Sequence, residues 1–221
     1  RDLTEIALEC DQKALIIPAH VWTPWFSVFG SFSGFDSIEE CFGDMSSYIW
    51  GIETGLSSDP AMNWRISDLD GRAILSFSDA HSLEKMGREA TVFEAEEISY
   101  DAIYSAIVGP AGRRPTPTSL LSKDQTELEI SKRQAAGARA GSPRPSPTLA
   151  KIASTIEFYP EEGKYHFNGH RDCNVRFSPQ ETNKNGNLCP KCSRPLTIGV
   201  MDRVEQLAFR NSKFEIRNSN G

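Results

Sequence analysis

Four potential metal ligands lie at a fixed spacing near the C-terminal end of the chain. His170 and Cys173 form one pair separated by two residues, fifteen residues follow, and Cys189 and Cys192 form a second such pair. Structural zinc takes four nitrogen or sulfur donors in a tetrahedron, and this pair spacing lets both ligands of one knuckle reach the same ion. The spacing predicts a closed structural zinc site. His166 replacing His170, or a reduced cluster without metal, are the alternatives.

A closed zinc site is not catalytic, so its expected role is to hold a small module that lacks a core of its own. The other two cysteines, Cys10 and Cys41, lie among apolar residues and are predicted to be reduced core residues. The 221 residues, 38% of them hydrophobic, have room for one large domain or two small ones. No stretch approaches the roughly 20 apolar residues of a membrane span, and no signal-peptide pattern is present, so we expect a cytoplasmic protein.

Charge and composition divide the chain into segments. Residues 1–108 hold 6 Lys/Arg and 19 Asp/Glu, whereas residues 151–221 hold 11 and 8. The acidic front half suits a metal-loaded site, and the mildly basic back half permits a polyanion partner. Residues 109–151 are rich in Pro, Ser and Arg and predict a disordered linker or insertion. We therefore expect a domain over 1–108, a zinc-binding module over 152–208 and a tail over 209–221.

Apolar runs and helix-capping signals alternate along the first segment. Strands are predicted at residues 14–17, 48–52, 73–77 and 91–93, and a β-hairpin at 155–159 with 164–167. Helices are predicted over 3–10, after Ser37, over 59–69 and over 99–109. This alternation of helices and strands predicts an α/β fold with a mostly parallel sheet or barrel.

Polar side chains follow three of the predicted strands directly. His20, Glu53, Asp79 and His81 each lie just past the carboxyl end of a strand, which is the side where active sites of α/β folds gather. In an extended segment Asp79 and His81 point to the same face. Such ligands suit zinc, manganese or iron with open coordination positions, where the metal lowers the pKa of bound water and polarises a phosphoryl oxygen.

Three stretches of the chain, residues 16–20, 53–59 and 78–82, resemble the later metal-binding motifs of the PHP (polymerase and histidinol phosphatase) superfamily. Three further stretches, residues 21–26, 62–65 and 165–173, resemble the endonuclease Q family of DNA repair enzymes in particular. The resemblance runs in order through residues 1–108 and about 152–208.

The resemblance implies the C-terminal part of a distorted (β/α)7 PHP barrel, with a metal centre at its rim and an appended zinc module. The implied activity is hydrolysis of damaged DNA on the 5′ side of a deaminated base (uracil, hypoxanthine or xanthine) or an abasic site. The implied cofactors are a structural zinc and two or three catalytic divalent metals (Zn, Mn or Fe). The implied catalytic ligands are His20, Glu53, Asp79 and His81, and the implied zinc ligands are His170, Cys173, Cys189 and Cys192.

An enzyme that acts beside a lesion needs a pocket for a flipped base, built from stacking aromatics and from amide or hydroxyl groups. Candidates beside the expected ligands are Trp22, Trp25, Phe26, Ser57, Ser58, Asn63 and Trp64. Arg171 and Arg176, near the zinc knuckles, are candidates for phosphate contacts. The alternatives are aromatics that form the core of a loop-rich rim, and arginines that are solvated loop residues.

Two departures from the family pattern limit these expectations. PHP domains begin with a strand that bears an H-x-H motif, and further ligands follow it; neither is present in this chain. The long linker is also foreign to the pattern. We therefore expect a piece of the enzyme with an incomplete metal centre. The alternatives are a PHP-type phosphoesterase that acts on a small molecule, and a zinc-ribbon nucleic-acid-binding protein with an inactive barrel remnant.

Overall fold

The computed structural model describes residues 1–32, 34–109 and 150–218, with side chains described up to residue 209. The predicted linker over 109–151, apart from its two edges, lies outside the described residues. The last residues of the predicted tail lie outside them as well.

Helices and strands alternate through the described residues. The helices are α1 (Asp2–Cys10), α2 (Ile38–Phe42), α3 (Pro60–Asn63), α4 (Tyr100–Val108), α5 (Pro179–Lys184) and α6 (Val200–Asn218). The strands are β1 (Gly51–Glu53), β2 (Ala73–Leu75), β3 (Ala90–Glu94), β4 (Lys151–Ile156), β5 (Asn168–His170) and β6 (Val175–Phe177). Short 3-10 turns, among them Gly43–Tyr48 and Ser67–Leu69, connect several of these elements.

A parallel pair forms the centre of the first segment. β1 and β2 are parallel, with Glu53 opposite Leu75. On the other edge of β1, Glu53 N–H donates to Pro18 O at 3.0 Å and Val21 N–H donates to Glu53 O at 3.2 Å. The chain segment 18–21 therefore lies beside β1 as β2 does, and the α/β class is confirmed. The strand predicted at 14–17 is wrong, because the backbone bonds to β1 begin only at Pro18.

Strand pairing also joins the part of the chain before residue 110 to the part after residue 149. β3 and β4 are antiparallel, with a register shift between Val92 and Phe93. The predicted hairpin of 155–159 with 164–167 is wrong, because Thr155 and Ile156 complete the ladder with β3 and a 3-10 turn at Pro160–Glu162 follows. The hairpin of this region is instead β5 with β6.

Side-chain caps start the helices where the sequence predicts them. Ser37 accepts from Glu40 N, Asp59 from Met62 N and Ser99 from Ala102 N. These bonds satisfy amides that have no partner inside a helix. α3 is shorter than predicted and ends at Asn63.

One apolar cluster underlies both described segments. Val200, Val204 and Leu207 of α6 belong to the same buried cluster as Trp22 and Ile52 of the first segment. Each fully buried aliphatic side chain contributes roughly 1.5–3 kcal/mol, so α6 anchors the C-terminal segment on the parallel pair. The division of the chain into domains stays a prediction, and its two described segments share a sheet and a core.

Both isolated cysteines were predicted to be core residues, and the structure agrees for one of them only. Cys41 is half-buried and packs against the core. Cys10 is exposed, so its assignment to the core is wrong; α1 buries Thr4 and Leu8 instead. None of the helices among the described residues is long and apolar enough to span a membrane.

Candidate functional site

The four expected catalytic ligands lie on neighbouring segments at one edge of the fold. His20 ends the segment beside β1, Glu53 ends β1, and Asp79 and His81 follow β2. Thr54 N–H, just past Glu53, donates to Leu75 O at 2.9 Å and fixes the offset between the two strand ends. We refer to His20, Glu53, Asp79 and His81 as the rim residues.

Glu53 is the buried member of the rim, with 4% of its surface exposed. Its Oε2 accepts a 2.6 Å hydrogen bond from the backbone N–H of His20. Burial raises the pKa of the Glu53 carboxyl, and the bond from His20 opposes that shift without cancelling it. Burial makes ionisation of the Glu53 carboxyl costly, and a nearby cation would favour its carboxylate form.

Two rim residues have unusual backbone conformations. His20 has φ of 32° and Asp79 has φ of 46°, in a region that residues other than glycine enter rarely, although His and Asp do so more than most. Such strain costs on the order of 1–3 kcal/mol and gathers at functional sites. Gly55, with φ of 71°, lies so close that an added Cβ would be 2.9 Å from His20 Cβ. The chain therefore places His20 against a residue that must lack a side chain.

Asp79 and His81 form the exposed part of the rim. His81 Nδ1 lies 2.9 Å from Asp79 O and 3.8 Å from Asp79 Oδ1. Arg88 Nε donates to Ser78 O at 2.7 Å and so holds the loop that presents this pair. The His81 side chain is 81% exposed, which leaves its imidazole open to a ligand.

The rim is not an assembled coordination sphere. Within the residues that the structure describes, the one grouping of three or more His, Cys, Asp or Glu ligand atoms that lie close together is elsewhere in the fold. The rim residues are neighbours whose side chains do not converge on one point. Their role as metal ligands stays a prediction.

That grouping is the His–Cys cluster, formed by His170, Cys173, Cys189 and Cys192. All four ligand atoms lie within 4.8 Å of one another, as tetrahedral coordination at bond lengths of roughly 2.0–2.3 Å requires. His166 is not among the grouped ligand atoms, and its Nδ1 lies 2.9 Å from Ser57 O. The cluster could hold a metal through His170 and its three thiols.

Backbone hydrogen bonds close the turn that carries Cys189 and Cys192 of the His–Cys cluster. Ser193 N–H donates to Cys189 O and Cys189 N–H to Arg194 O, both at 2.8 Å, which closes the knuckle turn. Burial raises the pKa of the Cys189 thiol, but backbone N–H groups of Lys191 and Cys192 outweigh burial and lower it to about 7. A side-chain hydrogen bond with Cys192 raises the pKa of Cys173 to about 11.

The predicted base-contacting aromatics divide into an exposed and a buried group. Trp25, Phe26 and Trp64 are 40%, 92% and 71% exposed. Trp25 stacks on Phe32 with ring centroids 5.0 Å apart and meets Tyr165 edge-on at 6.0 Å. Trp25, Phe32 and Tyr165 thus form one ring group, and we refer to the exposed rings of this region as the aromatic surface. A stacking role stays a prediction for Trp25, Phe26 and Trp64.

The buried group forms a hydrogen-bond network instead. Trp22 is 1% exposed and its Nε1–H donates to Asn63 Oδ1 at 2.7 Å. Asn63 Nδ2 donates to Ser58 Oγ, and Ser58 Oγ–H donates to Thr54 O at 2.8 Å. Ser57, also buried, holds His166 through its carbonyl. This network links the aromatic loop to the residue after Glu53.

The two predicted phosphate-contacting arginines lie near the His–Cys cluster and are exposed. Arg176 lies over the Phe167 ring at 4.3 Å and donates to Glu161 O. Arg171 begins the 3-10 turn that carries Cys173. Their contact with phosphate stays a prediction.

Two acids near the rim were not predicted from the sequence. Buried Glu89 directly precedes β3 and half-buried Glu157 directly follows β4, and each has one buried carboxylate oxygen without a hydrogen-bond partner. No short motif contains them, because they are 68 residues apart in the chain and meet only through the β3–β4 pairing. The available signals were weak: Glu89 lies two residues before the strand predicted at 91–93, and Glu157 lies within the strand predicted at 155–159.

Comparison with known proteins places this geometry in a family context. Residues 71–108, which include Asp79, His81 and β3, match the PHP-associated family. An uncharacterized protein of Methanocaldococcus jannaschii is 29% identical over 194 residues, covering 85% of this chain and 19% of that protein. The uncharacterized protein YqxK of Bacillus subtilis is 36% identical over 104 residues, covering 47% of this chain and 26% of that protein.

Two solved structures resemble the chain over nearly its whole length. The lesion-specific endonuclease PfuEndoQ of Pyrococcus furiosus has a TM-score of 0.65 and 28% identity, covering 93% of this chain and 41% of that one. The second structure is endonuclease Q in complex with a 27-mer duplex substrate that has an abasic lesion at the active site. It has a TM-score of 0.65 and 27% identity, and the match covers 93% of this chain and 42% of that one. The chain spans about a quarter or less of the curated relatives and about two fifths of the solved chains. The expected resemblance is thus confirmed: over the length it shares with these two structures, this chain has an α/β fold similar to that of endonuclease Q.

Proposed function

We propose that this chain is part of a metal-dependent DNA repair endonuclease that hydrolyses the phosphodiester on the 5′ side of a deaminated base or an abasic site. The observation that carries the proposal is the rim: three neighbouring segments bring His20, Glu53 and the Asp79/His81 pair to one edge. The likeness to an endonuclease that was solved with a lesion-containing duplex supports DNA as the substrate.

The chemistry of the rim suits phosphodiester hydrolysis. Its donors are two imidazoles and two carboxylates, a set that zinc, manganese and iron accept. Such a metal, when bound, activates water and polarises the phosphoryl oxygen. The chain's own residues would hold this metal: Glu53 is buried and oriented by His20 N–H, while the His81 side chain is exposed to solvent. Further ligands from outside this chain would complete the centre.

The aromatic surface supplies a place for DNA. Exposed Trp25, Phe26 and Trp64 offer ring faces to an unstacked base, and each such contact is worth roughly 1–3 kcal/mol. Lys164 Nζ lies 4.9 Å from the Tyr165 ring centre beside Trp25, so a positive charge accompanies the rings. The buried Trp22–Asn63–Ser58 network holds this surface in register with Glu53.

The His–Cys cluster is proposed to bind structural zinc. Three thiols and one imidazole are the donors that zinc prefers over magnesium or calcium. With all four positions taken by the protein, the ion has none left for substrate, so its part is to fix the C-terminal segment.

A duplex that carries one deoxyuridine, deoxyinosine or abasic site tests the proposal. The full-length protein that contains this chain, loaded with manganese or zinc, is expected to nick the lesion strand and to leave the undamaged duplex intact. Absence of nicking with metal occupancy verified would contradict it.

A second function, lesion-independent nucleic-acid binding by a zinc-containing protein without catalysis, is favoured by one observation. The His–Cys cluster is assembled, whereas the rim residues do not converge among the described residues. Binding of damaged and undamaged duplex with equal affinity, together with no nicking, would support this second function.

A further inference from the structure

The loop that follows His20 carries one buried and one exposed ring pair. We refer to residues 21–32 and 34–36 as the aromatic loop. Trp22 and Phe29 are buried, with ring centroids 4.7 Å apart. Trp25 and Phe32 are exposed and stack on each other at 5.0 Å. The exposed pair can meet DNA only at the angle that the loop backbone gives it, so the contacts that hold this backbone matter for the proposed function.

Arg203 of α6 donates to the backbone of the aromatic loop at two places. Its Nε donates to Phe29 O at 2.9 Å, and its Nη2 donates to Phe35 O at 3.0 Å. Loop carbonyls lack the partners that a helix or strand would supply. The guanidinium is a planar fork whose N–H groups have fixed directions. The two bonds therefore set the spacing between Phe29 and Phe35, which lie three residues before and three residues after Phe32.

An ion pair holds the guanidinium of Arg203 in place. Its Nη2 also lies 2.7 Å from Asp36 Oδ1, and the Arg203 side chain is 12% exposed. Burial lowers the pKa of the Arg203 guanidinium, and the charge of Glu40 opposes that shift. A charge this far removed from water needs such partners. Arg203 is thus engaged with the loop and is too buried to reach a DNA phosphate.

The helix that carries Arg203 also supports the third ring of the group. Tyr165 meets Trp25 edge-on, and Tyr165 O accepts from the backbone N–H of Val200, the first residue of α6, at 2.8 Å. Ser31, within the aromatic loop, donates from its Oγ to Ile198 O at 2.9 Å. The start of α6 therefore holds Tyr165 on one side and the aromatic loop on the other.

We propose that Arg203 is a positioning residue for the aromatic surface: through Phe29 O and Phe35 O it fixes the angle at which Trp25 presents its ring to DNA. Arg203 acts through the loop and does not itself contact the duplex. The inference rests on the proposed function for its effect on DNA binding, whereas the position of the Trp25 ring can be measured without DNA.

Fluorine NMR of tryptophan tests the position of Trp25. Fluorotryptophan is incorporated into the full-length protein, and the Trp25 resonance is the one that Trp25→Ala removes. Arg203→Met keeps an apolar stem but has no donor, so it should shift or broaden that resonance. Arg72→Met is the matched control, because Arg72 also donates to two carbonyls, Asp68 O at 2.9 Å and Ser46 O at 3.4 Å, and both lie outside the aromatic loop.

The control separates positioning from general support of the fold. Arg72→Met should lower the unfolding temperature and leave the Trp25 resonance where it is in the wild type. An unchanged Trp25 resonance in Arg203→Met, or an equal change in Arg72→Met, would overturn the positioning role.

Arg203→Lys keeps the proposal testable if Arg203→Met does not fold. Lysine retains a positive charge beside Asp36, but its ammonium lacks the planar fork, so the Trp25 resonance should again move. A wild-type resonance in Arg203→Lys would show that the ion pair alone suffices, which contradicts positioning through the two carbonyl bonds.

A double-mutant cycle on binding of abasic duplex by the full-length protein connects Arg203 to DNA. Arg203→Met should weaken affinity by at least about fivefold, the lower end of one base–aromatic contact, with the salt dependence unchanged. In the Trp25→Ala background it should cost less than about twofold more, since the ring that it positions is gone. Additive losses, or a salt slope reduced by about 1, would make Arg203 a direct phosphate contact and overturn the proposal.

Failure of the proposed function and failure of this inference give different results. If the wild type binds damaged and undamaged duplex equally and does not nick, the proposed function fails, and the fluorine resonance still decides whether Arg203 positions Trp25. If the wild type nicks lesion duplex but the Trp25 resonance is unchanged in Arg203→Met, the proposed function stands and the positioning role fails.

Discussion

The backbone N–H of His20 donates a 2.6 Å hydrogen bond to Oε2 of Glu53. The bond joins the ends of two adjacent segments and is made by the main chain of His20. The imidazole makes a separate contact, with Nδ1 3.3 Å from Thr23 Oγ1. Glu53 is held in one orientation while it is buried. Two residues that sequence spacing could only place on the same side of a sheet are thus coupled directly.

Gly55→Ala tests whether the close approach to His20 matters. The substitution places a Cβ 2.9 Å from His20 Cβ at φ of +71°, so His20 must move. Gly87→Ala is the matched control, since Gly87 has φ of +76° and nothing within 4 Å of its added Cβ. Both changes should lower the unfolding free energy by about 1 kcal/mol through backbone strain, but Gly55→Ala should also lower nicking at least about tenfold. Equal activity of the two variants would show that His20 tolerates displacement.

Asn63→Ala tests the buried network beneath the aromatic surface. Asn63 is fully buried and accepts from Trp22 while it donates to Ser58 and to Asp59 O. Its loss leaves the indole N–H without a partner, which costs roughly 1–3 kcal/mol. Urea unfolding measures the change, with the exposed Asn183→Ala as control. A loss no greater than that of the control would contradict the network.

Trp25→Ala and Phe26→Ala test the aromatic surface. Each should weaken binding of an abasic or deoxyuridine duplex by roughly 1–3 kcal/mol, the size of a base–aromatic contact. Because stacking releases no counterions, the salt dependence of binding should stay as in the wild type. Fluorescence anisotropy at several salt concentrations measures both quantities. Ile98→Ala, which removes an exposed apolar side chain elsewhere, should leave affinity unchanged, and an equal loss there would contradict a specific surface.

Cys189→Ala tests the His–Cys cluster. Removal of one of four ligands should abolish stoichiometric zinc and loosen the C-terminal segment, because the binding free energy of structural zinc is folding free energy. Atomic absorption gives the zinc content, and hydrogen exchange should show loss of protection from β5 to α5. The exposed Cys10→Ala is the control. Retention of zinc by Cys189→Ala would contradict the assignment.

Local rules predicted the features that depend on neighbours in sequence. Ser37, Asp59 and Ser99 begin helices because a cap needs only the amides of the next turn, and the His–Cys cluster follows from its two pair spacings. The α/β class followed from alternation of helices and strands. Each of these signals lies within a stretch of a few residues, or within two such stretches.

Features that depend on distant partners were predicted wrongly or missed. Thr155 was assigned to a hairpin but pairs with Thr91 in β3, because a strand takes whichever edge the fold presents. Trp22 and Trp25 are three residues apart in an aperiodic loop, and nothing local shows that one is buried and the other exposed. Glu157 was missed for the same reason, since its hydroxyl partners lie 81 and 103 residues away.

The most direct test of the rim is the position of the cut made by His81→Ala and by wild-type full-length protein. Duplex with a single deoxyuridine, end-labelled and resolved at nucleotide resolution, is incubated with manganese at matched zinc content. The wild type should give one nick on the 5′ side of the lesion, and His81→Ala should give none while it keeps structural zinc and wild-type unfolding temperature, because the His81 side chain is 81% exposed. Nicking by His81→Ala at the wild-type rate, or cuts unrelated to the lesion, would contradict the rim as the catalytic centre.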